Sequence, residues 1–291
     1  MSERRKTPVS RPSHRCTVEF ILVGDRAAVA SMKNPTSRRF VLTAPLIALC
    51  WLAIAPAGDA DELSPIQEKV RAGDLDGALQ VLEPLLADAG PDRADQQRVR
   101  ELAARVLHLR GEEHFRAARV AEALADFDRE LELQPDLAPQ HWQRGSACYF
   151  AGEYERGVRQ FERHRIVNPQ DVESSAWHFL CAARAPNGSV VSARAKLLPV
   201  TRDPRIPMKQ IQAMFAGVTL PEEVLRAGET GGSAGKFYAD LYVGLYYEAL
   251  GRSADSLRYL KQAAESPVAR DNYMGDVARV HVKLREQASV K

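Results

Sequence analysis

The sequence repeats itself at a spacing of 34 residues. When 104–137 is set against 138–171, Gly111 falls on Gly145, Ala123 on Gly157, Phe127 on Phe161 and Pro135 on Pro169. Glu132-Leu133-Gln134-Pro135 answers Ile166-Val167-Asn168-Pro169. A period of this length marks stacked supersecondary units. Small residues at the 111/145 and 123/157 positions let two antiparallel helices approach closely. Phe127 and Phe161 fill the space between successive units. Pro135 and Pro169 cannot continue a helix, so each ends the second helix of its unit. Gly152 with Tyr154 marks the turn between the helices of the second unit. One such hairpin cannot bury its apolar face alone, but stacked neighbours can. The expected fold is therefore an all-α helical-hairpin solenoid.

The flanks carry the pattern more weakly. Gly73, Ala78 and Leu82 have the turn, small and large spacing of a half-unit, and a long helix over about 93–116 leads into the first clear unit. A divergent third unit spans 172–200, with Trp177 and Phe179 in its first helix, a turn at Pro186-Asn187-Gly188 and a second helix over 190–198. The array thus covers 61–200. Asp203-Pro204 and Pro207 break it, and 201–236 reads as a linker with short helices at 208–216 and 222–227 and a flexible Gly-rich loop at 231–235. A last hairpin follows in 237–265, with Gly244, Tyr247, Gly251, Ser256 and Leu260 at the repeat positions. A mixed polar and apolar helix near 271–286 suits a terminal cap, so 237–291 forms the final segment.

Composition fits helices: 45% of residues are hydrophobic but only 7% aromatic. The net charge of +2 is unevenly spread. Residues 1–60 hold nine Lys/Arg and four Asp/Glu, leaving 31 basic and 34 acidic residues of the chain's 40 and 38. The folded part is slightly acidic, which argues against a nucleic-acid partner. The basic leader reads as an export signal over 32–60. Lys33, Arg38 and Arg39 precede an apolar stretch over 40–55, then small residues and Asp59, Asp61 and Glu62. Candidate cleavage points follow Ala57 and Ala60; the alternative is an uncleaved membrane anchor. Pro45 and Pro56 interrupt the apolar run, which is short against the roughly 20 residues a span needs. Ser37-Arg38-Arg39-Phe40 resembles a twin-arginine signal with its aromatic one place early, and ordinary Sec export stays equally open. Ile47-Ala48-Leu49-Cys50 loosely resembles a lipoprotein box, so Cys50 is the candidate lipidation site, although Leu49 stands where a small residue is wanted. Residues 1–31 lie upstream of a second start, Met32, and read as a non-structural extension. Membrane contact is expected only through the N-terminus. Cys148 and Cys181 sit in apolar helical settings and read as buried small hydrophobes rather than a disulfide.

The Gly/Ala/Phe/Pro set over 104–171 resembles the tetratricopeptide family. The wider order is similar to a narrower group, the bacterial new lipoprotein I type, through Ser175-Ala176-Trp177-His178-Phe179-Leu180, Met214-Phe215-Ala216-Gly217-Val218-Thr219-Leu220-Pro221-Glu222-Glu223 and Phe237-Tyr238-Ala239-Asp240-Leu241-Tyr242-Val243-Gly244-Leu245-Tyr246-Tyr247. That likeness covers about 62–287. It implies a periplasmic, outer-membrane-anchored homodimeric adaptor that brings a protease together with peptidoglycan hydrolases. The poor lipoprotein box departs from the pattern.

In a tetratricopeptide array the first helices of successive units line a groove for proteins or peptides. The groove positions here are Arg105, His108, Glu112, Phe115 and Arg116 in the first unit, Trp142, Ser146, Tyr149 and Phe150 (with Pro139) in the second, and Arg184 (with Glu173, Ala176 and Leu180) in the third. Aromatics and Arg are the usual anchors of protein contacts. Trp142 and Tyr149 divide evenly between groove and core; Trp177, Phe127 and Phe161 read as core. The Lys/Asn clamp that some relatives use for a C-terminal carboxylate is absent.

Chemistry is hard to find. Gly231-Gly232-Ser233-Ala234-Gly235 has the letters of a hydrolase nucleophile elbow but lacks the strand that must precede the serine. His108, Glu112 and His114 share a helix without the His-Glu-x-x-His spacing of a metal site. His141, at a repeat start, reads as packing or solvated. No phosphate-cradling loop and no cofactor motif is present, so no cofactor is expected. The leading expectation is an exported protein-binding scaffold without catalytic activity. Its rivals are an envelope hydrolase using Ser233 or a histidine, and a purely structural dimer.

Overall fold

A computed structural model describes residues 63–87 and 93–289. The leader, with its signal, its start-codon reading and Cys50, lies outside the described residues. The fold is all-helical. Thirteen α-helices are described: α1 (Ser64–Arg71), α2 (Leu75–Ala87), α3 (Arg93–Arg116), α4 (Val120–Leu133), α5 (Trp142–Phe150), α6 (Tyr154–Val167), α7 (Val172–Arg184), α8 (Val190–Ala195), α9 (Met208–Phe215), α10 (Pro221–Thr230), α11 (Gly232–Ala249), α12 (Ser253–Glu265) and α13 (Tyr273–Ser289). Each of α1 to α8 packs on its neighbour in the chain, as do α9 to α13. No helix among the described residues is long and apolar enough to cross a membrane.

The 34-residue period is a period of contacts. A Cβ added to Gly111 would lie 2.6 Å from the Phe127 ring, and one added to Gly145 would lie 2.7 Å from the Phe161 ring. Each phenylalanine, fully or almost fully buried, is laid flush against the backbone of the facing helix. In the last hairpin Gly244 meets Leu260 in the same way, at 2.8 Å. A polar pair repeats as well: Arg110 donates to Asp126, and its equivalent Arg144 donates to Gln160. Arg110 also reaches Asp76. It thereby ties α2 to α4 where two apolar clusters adjoin, one built on α1, α2 and the first half of α3, the other running from Phe115 to Val280.

The segment after the third unit is pinned by charge. Arg205 donates to Asp171, Glu173 and Asp203, and the buried Tyr242 hydroxyl of α11 donates to Glu173 at 2.8 Å. Burial pushes the Glu173 carboxyl up to about 7, against the pull of Arg205. Glu173 therefore staples α7 to α11 instead of facing a ligand.

The expected flexible loop at 231–235 is a correction. Residues 232–235 form the first turn of α11. Its glycines serve close approach: a Cβ on Gly235 would lie 2.4 Å from the Gly228 carbonyl oxygen, and one on Gly228 would lie 2.6 Å from Ala239 Cβ. Composition alone reads a cluster of glycines as freedom, whereas here they let α10 and α11 touch backbone to backbone. Ser233 is exposed on that first turn, preceded by α10 and not by a strand. Cys148 and Cys181 are free and buried, as expected.

Gly145→Ala should lower unfolding stability by about 1–3 kcal/mol, the usual range for overpacking. Urea denaturation checks this, and the loss should shrink when Phe161→Leu is introduced in the same chain.

Candidate partner-binding face

The groove positions of α3 and α5 come together with the end of α7, and their aromatic members do not face open solvent. Phe115 is fully buried and Tyr149 nearly so, while Trp142 and Phe150 are partly buried. The chain's own α13 lies over them. Asn272 starts that helix, its side chain accepting the Met274 amide at 2.9 Å. Tyr273 then stacks on Phe115 at 5.4 Å between ring centroids, and meets Trp142 edge-on at 4.9 Å. Arg116 reaches Asp276 at 3.3 Å, and Lys283 donates to the Ala117 carbonyl at 3.0 Å. Further along α13, His281 packs edge-on against Phe150 at 5.5 Å. Behind this layer stands Trp177, edge-on to Tyr149 at 5.4 Å and buried as expected of a core residue.

One carboxylate ties the far end of this face together. Glu248 of α11 accepts from the Tyr149 hydroxyl at 2.8 Å and from Arg184 at 3.2 Å, and it lies 3.2 Å from both His281 Nε2 and Arg285. Three helices besides its own, α5, α7 and α13, thus meet at one side chain. Burial works against its ionisation, but these donors hold the carboxyl below its usual range. Burial pushes His281 down to about 4, so the ring is neutral near pH 7. A cleft of about 170 Å³ opens beside it, walled by Tyr154, Arg184, Leu284 and Ala288 among others. Arg184 lies over the Tyr154 ring at 5.4 Å. Arg105, further up α3, is exposed.

A second cluster lies behind His108. Glu130 of α4 faces His108 Nδ1 at 3.0 Å and His141 Nε2 at 2.8 Å. Glu112 lies 3.5 Å from the other nitrogen of His108 and also accepts from Arg116. Burial disfavours a charged His108, but the flanking carboxylates win and raise it to about 9. Two imidazoles and a carboxylate this close are a donor set that metals use, with ligand atoms all within 4.8 Å of one another. The hydrogen bonds assign another role. His141 caps α5, its Nδ1 accepting the Arg144 amide at 3.2 Å. With Nδ1 an acceptor, the proton sits on Nε2 and is donated to Glu130. A metal at Nε2 would have to displace that proton and oppose the cap. The cluster is a buried relay locking α3, α4 and the start of α5.

Of the ten groove residues, six contact α13 or the cluster it completes: Phe115, Arg116, Trp142, Tyr149, Phe150 and Arg184. His108 and Glu112 belong to the relay behind that layer. Ser146 is fully buried with its hydroxyl unpartnered. His141, read from its repeat-start position as packing or solvated, is buried and packs on Phe127. Sequence reasoning missed Glu130, Glu248, Tyr273 and His281. Glu130 carries a faint signal, an acid in the second helix ahead of that histidine. The others meet the face only through tertiary packing. Searched against protein families and curated proteins, the chain matches none.

His108 generates a pH dependence of known sign. Its folded pKa lies above the unfolded value of about 6.5, so its stabilisation is complete below about pH 6.5 and is lost as pH rises through about 9. The urea stability of the wild type relative to His108→Gln should therefore narrow across that window, by roughly 3 kcal/mol in all.

Proposed function

We propose that this chain is an exported scaffold of tetratricopeptide type that holds other proteins, in the manner of the new lipoprotein I group. On this reading its clients are envelope proteins, with proteases and peptidoglycan hydrolases as the class the resemblance implies. The observation that carries the reading is the seating of α13. The face formed by α3, α5 and the end of α7 takes a helix, using an aromatic pair, Phe115 and Trp142, around one tyrosine. Aromatic and arginine side chains around a desolvated centre are the usual anatomy of a protein-binding hot spot. The recurring Gly–Phe contacts at 34-residue spacing support the solenoid part of the reading. The basic and apolar leader supports export.

A photo-crosslinking amino acid placed at Arg105 or Arg184, both exposed on the first helices, should give discrete protein adducts in cells. The same group at Arg163, exposed on the second helix α6, should give few. Adducts that are equal at all three positions, or absent from all, would remove the scaffold reading. Fractionation of the same cells checks export.

A further inference from the structure

Large apolar side chains exposed singly are ordinary, but a group that tertiary contacts gather from separate parts of the chain is not. Ile166 and Val167 end α6 and are 76% and 46% exposed; Ile206, in the connection from α8 to α9, is 49% exposed. Polar contacts bring that connection alongside the end of α6. The Gln170 side-chain oxygen accepts the amides of Thr201 at 3.0 Å and Arg202 at 2.9 Å. Arg205, next to Ile206, donates to Asp171 at 2.7 Å. Because Arg205 is also held by Glu173 and Asp203, the connection is fixed along this edge of the array.

The same edge is basic. Arg163, Arg165, Arg202 and Lys209 are exposed, and none of them is in an ion pair among the described residues. The acids nearby are already engaged. Asp171 and Asp203 hold Arg205, Glu173 accepts from Arg205 and Tyr242, and Glu162 lies 3.6 Å from His178. Outside the leader the chain holds more acids than bases, so this concentration of positive charge is local. A second exposed apolar group has the opposite character. Val218 and Leu220 precede Glu222 and Glu223, and Arg194, against Gly217, is engaged with the Tyr246 hydroxyl.

We propose that this edge, from the end of α6 through the connection to α9, is a docking surface for an anionic lipid bilayer. Charge complementarity selects the occupant. Guanidinium groups without a partner take phosphate oxygens in bidentate pairs, and clustered cations are drawn to anionic leaflets. The aliphatic side chains select lipid over a soluble polyanion. Ile166, Val167 and Ile206 gain by entering the boundary between headgroups and acyl chains, while the long basic side chains reach the phosphates. A soluble polyanion would use the cations and leave these three in water. The contact is peripheral, does not involve the leader and goes beyond the scaffold reading without depending on it. The edge is contacted at Asp171, before α7, and Arg184 ends that helix. Docking here and a client at Arg184 therefore use opposite ends of α7.

The test uses the full chain and vesicles of phosphatidylcholine, either alone or mixed in equal parts with phosphatidylglycerol. A photo-crosslinking amino acid at Ile166 should form lipid adducts, read by mass, on the anionic vesicles and few on the neutral ones. The same group at Val218, which is more exposed but followed by acids, should form few on either. Reading adducts at one position separates this contact from any made by the leader. Changing Arg165→Gln and Arg202→Gln together should lower the Ile166 adduct yield by about tenfold, and added salt should lower it as well. Both arginines are exposed, and an unchanged urea midpoint establishes that the variant is folded. Equal lipid adducts at Ile166 and Val218, none at Ile166, or a yield that the double variant leaves unchanged would each overturn the proposal. Heparin binding that falls in the double variant, with no lipid adduct at Ile166, would make the edge a site for a soluble polyanion and overturn it too. Protein adducts at Arg105 and Arg184 decide the scaffold reading separately, so either can fail alone.

Discussion

The contact on which the array depends is a phenylalanine ring laid against a glycine backbone. At Gly111–Phe127 and Gly145–Phe161 the ring occupies the volume that any Cβ would need. That approach sets how closely the two helices of a hairpin pair. With the pairing set, the next helix is placed by what the ring leaves exposed on its other side. Phe127 reaches forward to His141, 4.8 Å away and edge-on, at the start of the following unit. Dispersion and apolar burial are nondirectional, so a periodic steric fit is what turns a general tendency to collapse into one stacking order.

Polar groups then lock the order that packing proposes. Arg110 holds Asp76 and Asp126 across three helices, and Arg144 repeats the reach 34 residues later with Asp128 and Gln160. The His108–Glu130–His141 relay adds a condition on protonation: one ring is held charged between carboxylates, and burial keeps the next neutral, free to accept the capping bond. Cutting one member would leave its neighbours buried and unsatisfied, which costs more than the bond contributes. Such clusters therefore specify register more than they supply net stability.

Much of the helix order is legible in the sequence, because each hairpin is specified within its own 34 residues. The bounds expected for the long helix coincide with those of α3, and the expected start of the third unit at 172 coincides with that of α7, since glycine, proline and apolar spacing act locally. The same local logic misreads 231–235, where glycines serve contact with Gly228 and Ala239. It also leaves Trp142 and Tyr149 divided between two roles. Their environment is decided by α13, whose Asp276 stands 160 residues from its partner Arg116. No periodicity carries that information. Glu248 is hidden for the same reason, as an ordinary acid near the end of α11 until Tyr149, Arg184, His281 and Arg285 converge on it.

The dual character of Trp142 and Tyr149 is itself informative. A residue that is purely core, such as Trp177 or Phe161, is buried by the stacking of the units alone. Tyr149 is buried by Trp177 on one side, and on the other its hydroxyl joins the cluster that α13 completes. Trp142 is covered by Tyr273. These side chains have the composition of a binding surface and the burial of a core because the surface already holds a helix. The repeat places these side chains on the face, and α13, itself anchored in the core by Val277, Ala278 and Val280, decides their burial.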